Sequence, residues 1–310
     1  MHNILSSMSL NLFSVFLCMG SSSFFSFWVS LELSSFSFVL LFRIFSPRSG
    51  VFLLKYFLIQ GVTSSFFVWA YFNSISEGMV VALVAKMGLA PFHSWVLPLV
   101  ENMNWDCWFI FMVMQKMVPI MFLTKILISS IWSQGLAFLN ILISCCCSFH
   151  LSSLRSLMFY SSLFNMAWVL LALPSVSGAL LVFFMYCFIM WSVWSVLSSV
   201  GILYLQQTYM LKEFSGEWML TLINLMGFPP GAGFLIKWVV AGLSYFSLPL
   251  LVLMLISSLW MIYIYMGMFM YMTFSFKISS IYSSLRNKML SLSHLSANLL
   301  MAMVVFINVI

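Results

Sequence analysis

Of 310 residues, 64% are hydrophobic and only 6% are Asp, Glu, Lys or Arg, whereas a soluble domain is about a quarter charged. That composition excludes a water-soluble globular fold. A hydrocarbon core about 30 Å thick leaves such a chain room for about ten to twelve spanning helices and little else. The formal charge of +6 comes from cations scattered among apolar runs, without the basic, aromatic-interleaved patch that nucleic acid requires; phospholipid head groups are the expected partner, and nucleic acid is not.

The first stretch, MHNILSSMSLNLFSVFLCMG, has neither the basic leader and small-residue cleavage site of a signal peptide nor the arginines of a transit peptide. It reads as a first spanning helix. Apolar runs punctuated by polar residues, glycine or proline then give eleven candidate spans, at about 4–20, 22–42, 51–72, 78–100, 107–131, 134–150, 155–173, 177–205, 217–242, 246–272 and 293–310. Period-2 alternation is absent, so the expected class is all-α, a polytopic transmembrane helical bundle with 1–310 as a single integral membrane domain. The polar-leaning run KISSIYSSLRNKMLSLSH, within about 273–292 and just beyond, joins the last two spans as an amphipathic surface connection or a flexible loop. Six cysteines, including Cys145, Cys146 and Cys147 in a row, fit no metal or iron–sulfur spacing and read as small apolar helix residues.

Loop cations follow spans 2, 6, 8 and 10: Arg43 and Arg48, Arg155, Lys212, then Lys277, Arg286 and Lys288. The loops after spans 1, 3, 5, 7 and 9 carry none. The positive-inside rule therefore puts the N-terminus on the cation-rich side and the C-terminus on the other.

Four charges fall deep in spans: Glu32, Lys86, Lys116 and Lys237. Each costs about 2.5–3.5 kcal/mol at mid-membrane, roughly 10 kcal/mol together, unless it faces a polar interior. Snorkelling suits Lys125 near the end of its span and Lys55 at the start of its own, but the short side chain of Glu32 cannot reach the interface. A buried ammonium is its natural partner, and Lys86 is the candidate. Unlike arginine, lysine can surrender its proton, so Glu and Lys groups in series can act as a relay.

Helix breaks lie beside these charges. Pro91 and Pro98 interrupt the span after Lys86, GFPPGAGF (227–234) interrupts the span before Lys237, and Pro119 follows Lys116. Non-helical backbone at such depth survives only inside protein or beside a watery cavity, and paired broken helices mark ion paths in transporter folds. His93, seven residues after Lys86, would share its face in an unbroken helix; it either extends the relay or packs against a carbonyl freed by Pro91. Gln60, Thr63, Ser64 and Ser65, Tyr160 to Ser162, and Asn224 offer places to hold water between the charges.

KMGLAPFHSW, MQKMVPIM, LRSLMFYSSLFNMAW and LMGFPPGAGFLIKW, with FWVSLELSSFSF and KYFLIQGVTSS upstream, resemble the family of mitochondrially encoded NADH dehydrogenase (ubiquinone) subunit 2, antiporter-like membrane subunits of respiratory complex I. The likeness runs in order over about 27–240 and looks like the animal, eleven-helix form. It implies an antiporter-like bundle with two broken helices, at about 78–100 and 217–242. Glu32 matches the glutamate of the family's Glu–Lys pair, Lys86 its lysine on the first broken helix, Lys116 the lysine of the QK motif, and Lys237 the lysine after the second break. The implied function is proton translocation from matrix to intermembrane space, with quinone reduction elsewhere in the complex altering the Glu32–Lys86 pairing.

The resemblance also implies the mitochondrial inner membrane, with the N-terminus toward the matrix, and a hetero-oligomer with other membrane-arm subunits, including neighbouring antiporter-like ones. It implies no cofactor in this chain, although the complex as a whole uses NADH, FMN, iron–sulfur clusters and ubiquinone. The sequence departs from the family pattern at Leu97-Pro98, at Met114, and at Asn165 and Ala167, so no histidine role carries over near the YSS motif. A stand-alone cation/proton antiporter would share broken helices and deep charges, but such exchangers coordinate cations with carboxylates, and only Glu32 is deep. A non-pumping spacer of the membrane arm is the other alternative.

Overall fold

A computed structural model of the chain describes residues 2–46, 50–126, 130–205, 207, 215–229, 231–243 and 248–276. Twelve α-helices occupy the described residues, which contain no β-strand. In chain order they are α1 (His2–Gly20), α2 (Phe24–Phe45), α3 (Gly50–Phe72), α4 (Ser76–Met87), α5 (Val96–Glu101) and α6 (Trp105–Ile126), followed by α7 (Ser130–Cys147), α8 (Leu154–Ala172), α9 (Val176–Val200), α10 (Ser215–Met226), α11 (Ala232–Gly242) and α12 (Leu248–Phe276). Six of them, α2, α3, α6, α8, α9 and α12, are long and apolar enough to cross a membrane unaided.

Two expected spans are each split into a pair of shorter helices, α4 with α5 and α10 with α11. The span expected at 293–310 lies outside the described residues, as does the connection from 277 onward, while 273–276 continue α12.

The chain divides into two compact units, Met1–Ser133 and Gln134–Ile310. In the first, α2 packs against α1, α3 and α6, and α4 lies against α3 and α6. In the second, α8 and α11 both pack on α9, and α10 contacts α9, α11 and α12. α8 is enclosed, with every residue from Ser156 to Ala172 buried.

Serine-rich helices are compatible with a hydrocarbon surround because their hydroxyls can bond inward. Ser30, Ser34 and Ser37 of α2 and Ser161 and Ser162 of α8 each donate to the carbonyl three residues earlier at 2.7–2.8 Å. No hydroxyl proton among these five needs an external acceptor.

Candidate functional site

The first unit builds its site around the end of α4. Gly88 takes the left-handed conformation at φ +64°, and its N–H donates to the carbonyl of Ala85. The N–H of Leu89 reaches back to Val84 O at 3.1 Å. This is the Schellman ending that glycine permits. A Cβ at Gly88 would run into the side chain of Val96, so the turn and the close return of the chain toward α5 both need this glycine.

The helix thus stops one residue after Lys86, before Pro91 is reached, and Lys86 occupies its last turn. A half-helix ending here presents carbonyls and the negative end of its dipole to a cation. Gln60 of α3 donates to Lys86 O at 3.2 Å, satisfying one of those carbonyls. Lys86 Nζ donates to Glu32 Oε1 of α2 at 3.1 Å. The pairing expected from the sequence is present, but its two members are unequally enclosed: the Lys86 side chain is 4% exposed and that of Glu32 36%. Glu32 lies within α2, as expected, but part of its side chain is left uncovered by this chain.

Lys116 is 1% exposed within α6. The helix continues through Pro119, whose missing N–H deprives the carbonyl of Gln115 of its intrahelical donor. The Gln115 side chain gathers three other helices: its Nε2 donates to Asn11 Oδ1 of α1 at 3.3 Å and to Ser34 O of α2 at 3.0 Å, and its Oε1 accepts from Tyr56 of α3 at 3.1 Å. Beside this network, Phe38, Tyr56, Trp95 and Phe111 pack with ring centroids 5.0–6.4 Å apart. Trp95, at the start of α5, anchors the far side of the break there.

The Gln115 network had no role in the sequence reading; a carboxamide next to a deep lysine was its one visible signal. Replacing Gln115 with Leu is expected to cost about 1–3 kcal/mol for each buried group left unpaired. A lowered midpoint temperature for loss of the assembled particle on native gels is the measurement that checks it.

His93 and Pro98 sit differently from expectation. Because α4 ends at Met87, His93 does not share a helical face with Lys86; it lies in the bend, with Nδ1 3.3 Å from the carbonyl of Pro91. Pro98 does not interrupt a helix but falls in the first turn of α5, where backbone N–H groups have no intrahelical acceptor to lose. Lys125 donates to Ser21 O at 3.1 Å and lies 4.2 Å from the Phe27 ring centroid, a tethered cation at a helix end. Lys55 stays beside the Phe52 ring at 5.7 Å, near the start of α3.

The second unit repeats the device. α10 ends at Met226, Gly227 is left-handed at φ +77°, its N–H donates to Asn224 O at 3.2 Å, and the N–H of Phe228 reaches Ile223 O at 3.4 Å. Lys237 reaches back from α11 across the break and donates from Nζ to Met226 O at 2.9 Å. The two half-helices therefore end in the same glycine turn, and each end holds a lysine: Lys86 belongs to the half-helix itself, Lys237 comes from the one that follows. A Cβ on Gly233 would collide with the carbonyl oxygen of Asn224, so glycine lets α11 start directly against the end of α10. Asn224 and Ser162 are buried, as are Tyr160 and Ser161, whereas Ser65 is exposed.

These arrangements can hold ammonium groups in apolar surroundings and let them exchange protons with polar neighbours. Residues 71–261 match the family described as NADH:quinone oxidoreductase/Mrp antiporter, transmembrane. The chain is 31% identical over 262 residues to NADH-ubiquinone oxidoreductase chain 2 of Artemia franciscana, covering 83% of this chain and 86% of that one. It is 28% identical over 253 residues to the same-named protein of Anopheles gambiae, covering 74% and 73%. In fold it is similar to a chain of respiratory complex I from Thermus thermophilus with bound aureothin, with a TM-score of 0.83 at 18% identity, over 99% of this chain and 79% of that one. A chain of the Mrp complex from Dietzia sp. DQ12-45-1b gives a TM-score of 0.75 at 13% identity, over 84% and 58%.

Proposed function

Since the chain belongs to the NADH-ubiquinone oxidoreductase chain 2 family of antiporter-like membrane subunits, we propose that it moves protons from the mitochondrial matrix to the intermembrane space through Glu32, Lys86, Lys116 and Lys237. It works as part of the proton-translocating NADH:ubiquinone oxidoreductase and lies in the mitochondrial inner membrane as a multi-pass protein. In this reading the N-terminus faces the matrix, and the redox cofactors, NADH, FMN, iron–sulfur clusters and ubiquinone, are handled by other subunits.

The observation that carries the reading is the Glu32–Lys86 ion pair at the end of a half-helix, 3.1 Å long and exposed only on the glutamate side. A neighbouring membrane-arm subunit is the natural cover for that side. A change of charge there, driven by quinone reduction elsewhere, alters how strongly Glu32 holds the Lys86 ammonium. When the hold weakens, Lys86 passes its proton toward Lys116, while Lys237 is the proton carrier of the second unit.

The stand-alone antiporter reading is weaker because three of the four relay groups are lysines rather than carboxylates. The direct check on assembly is to solubilise the source mitochondria gently and resolve them on a native gel. This chain is expected to migrate with NADH-oxidising activity in one large particle. Migration as a small particle without that activity would put the antiporter reading first.

A further inference from the structure

Glu217 is the most buried carboxylate among the described residues. It lies in the first turn of α10 and is only 7% exposed, and its Oε1 has no hydrogen-bond partner among the described residues. A carboxylate oxygen in that condition is expensive unless water, an ion or a proton completes it. Thr221 and Asn224 follow at the i+4 and i+7 positions, so the three share one face of the helix, and they are 4% and 3% exposed. Thr221 gives its hydroxyl proton to Trp218 O at 2.8 Å, leaving oxygen lone pairs to accept. Asn224 Nδ2 is a second buried polar atom without a partner among the described residues.

The stripe therefore begins and ends on an unpartnered polar atom, over about 10 Å of helix. It ends within a turn of Met226, whose carbonyl holds Lys237. Gly231 lets the backbone after the break pack closely on that end, since a Cβ there would come within 2.6 Å of Asn224 Oδ1.

We infer that Glu217, Thr221 and Asn224 form a hydrated proton-uptake path along α10, with Glu217 as the group that loads protons for Lys237. This rests on the relay reading above. The Glu217 carboxylate takes a proton from matrix-side water and becomes a neutral acid. It then gives that proton through waters held by Thr221 and Asn224 to the Lys237 amine, which becomes an ammonium. The carboxylate re-forms with its negative charge and is loaded again from water, so each cycle carries one proton and returns Glu217 to its starting state.

The test compares Glu217→Gln, Glu217→Asp and Lys237→Met in the assembled complex in sealed vesicles, reading protons translocated per NADH oxidised. Glu217→Gln is expected to lose the same share of the proton yield as Lys237→Met, and Glu217→Asp, which keeps a titratable carboxyl, to restore it. A wild-type yield in Glu217→Gln beside a lowered yield in Lys237→Met overturns the uptake path alone. Wild-type yields in both overturn the relay reading and the path with it. If Glu217→Gln does not assemble, the wild-type complex decides: a membrane-soluble carbodiimide, which attacks protonated carboxyls in apolar surroundings, is expected to leave an adduct on Glu217 by peptide mass spectrometry, and an unlabelled Glu217 overturns the proposal.

Discussion

Gly227→Ala is expected to lower the number of protons moved per NADH while the complex still assembles. Gly227 sits at φ +77°, and an added Cβ would lie 2.8 Å from Lys237 Nζ and 3.0 Å from its Cε. The left-handed backbone alone costs an alanine roughly 1–2 kcal/mol, a strain that a large assembly can absorb. Relieving the side-chain clash requires the end of Lys237, held on Met226 O at 2.9 Å, to shift. The substitution therefore displaces the lysine without changing any titratable group. Gly242→Ala is the matched control, because a Cβ there meets nothing within 4 Å. An unchanged proton yield in Gly227→Ala would mean that the position of Lys237 over the break has no bearing on transport.

A second large effect is expected at the Glu32–Lys86 pair, and it is asymmetric. Lys86 is the enclosed member, at 4% side-chain exposure against 36% for Glu32. Glu32→Leu leaves a buried ammonium without its counter-charge, a change that costs about 3–5 kcal/mol in buried pairs. Lys86→Met leaves a carboxylate that is already partly open and costs less. The double variant Glu32→Leu with Lys86→Met removes both charges and recovers most of the loss, since well-packed apolar replacements of a buried pair are often neutral. Midpoint temperatures for loss of the assembled complex on native gels give the order: Glu32→Leu lowest, Lys86→Met intermediate, the double variant nearest wild type. An equal loss in both single variants would contradict the unequal enclosure.

Much of this was legible before any coordinates. Apolar runs locate the helices because a hydrocarbon core sets their length, and charges within those runs stand out because their cost demands a reason. The Glu32–Lys86 pairing follows from that cost. Where α4 ends was less legible: proline is the more visible breaker, yet Gly88 stops the helix before Pro91, through two backbone bonds that composition does not reveal. Pro98 misled for a related reason, since proline in a first turn is harmless and only the position of that turn tells the cases apart.

Side-chain contacts across the bundle were the least legible. Gln115 meets an asparagine 104 positions away in sequence, and only tertiary packing brings them together. The exposure of Glu32 likewise depends on which face of α2 its neighbours cover. Glu217 could have been noticed from its spacing with Thr221 and Asn224, but that pattern gains meaning only once all three are seen to be buried.

The Glu32→Leu with Lys86→Met double variant also offers the most direct test of proton carriage, because it separates holding helices together from moving protons. Assembled into its complex and sealed in vesicles, it should oxidise NADH with fewer protons translocated per NADH than wild type. A wild-type proton yield from a fully assembled double variant would contradict the account and leave the ion pair a structural fastening.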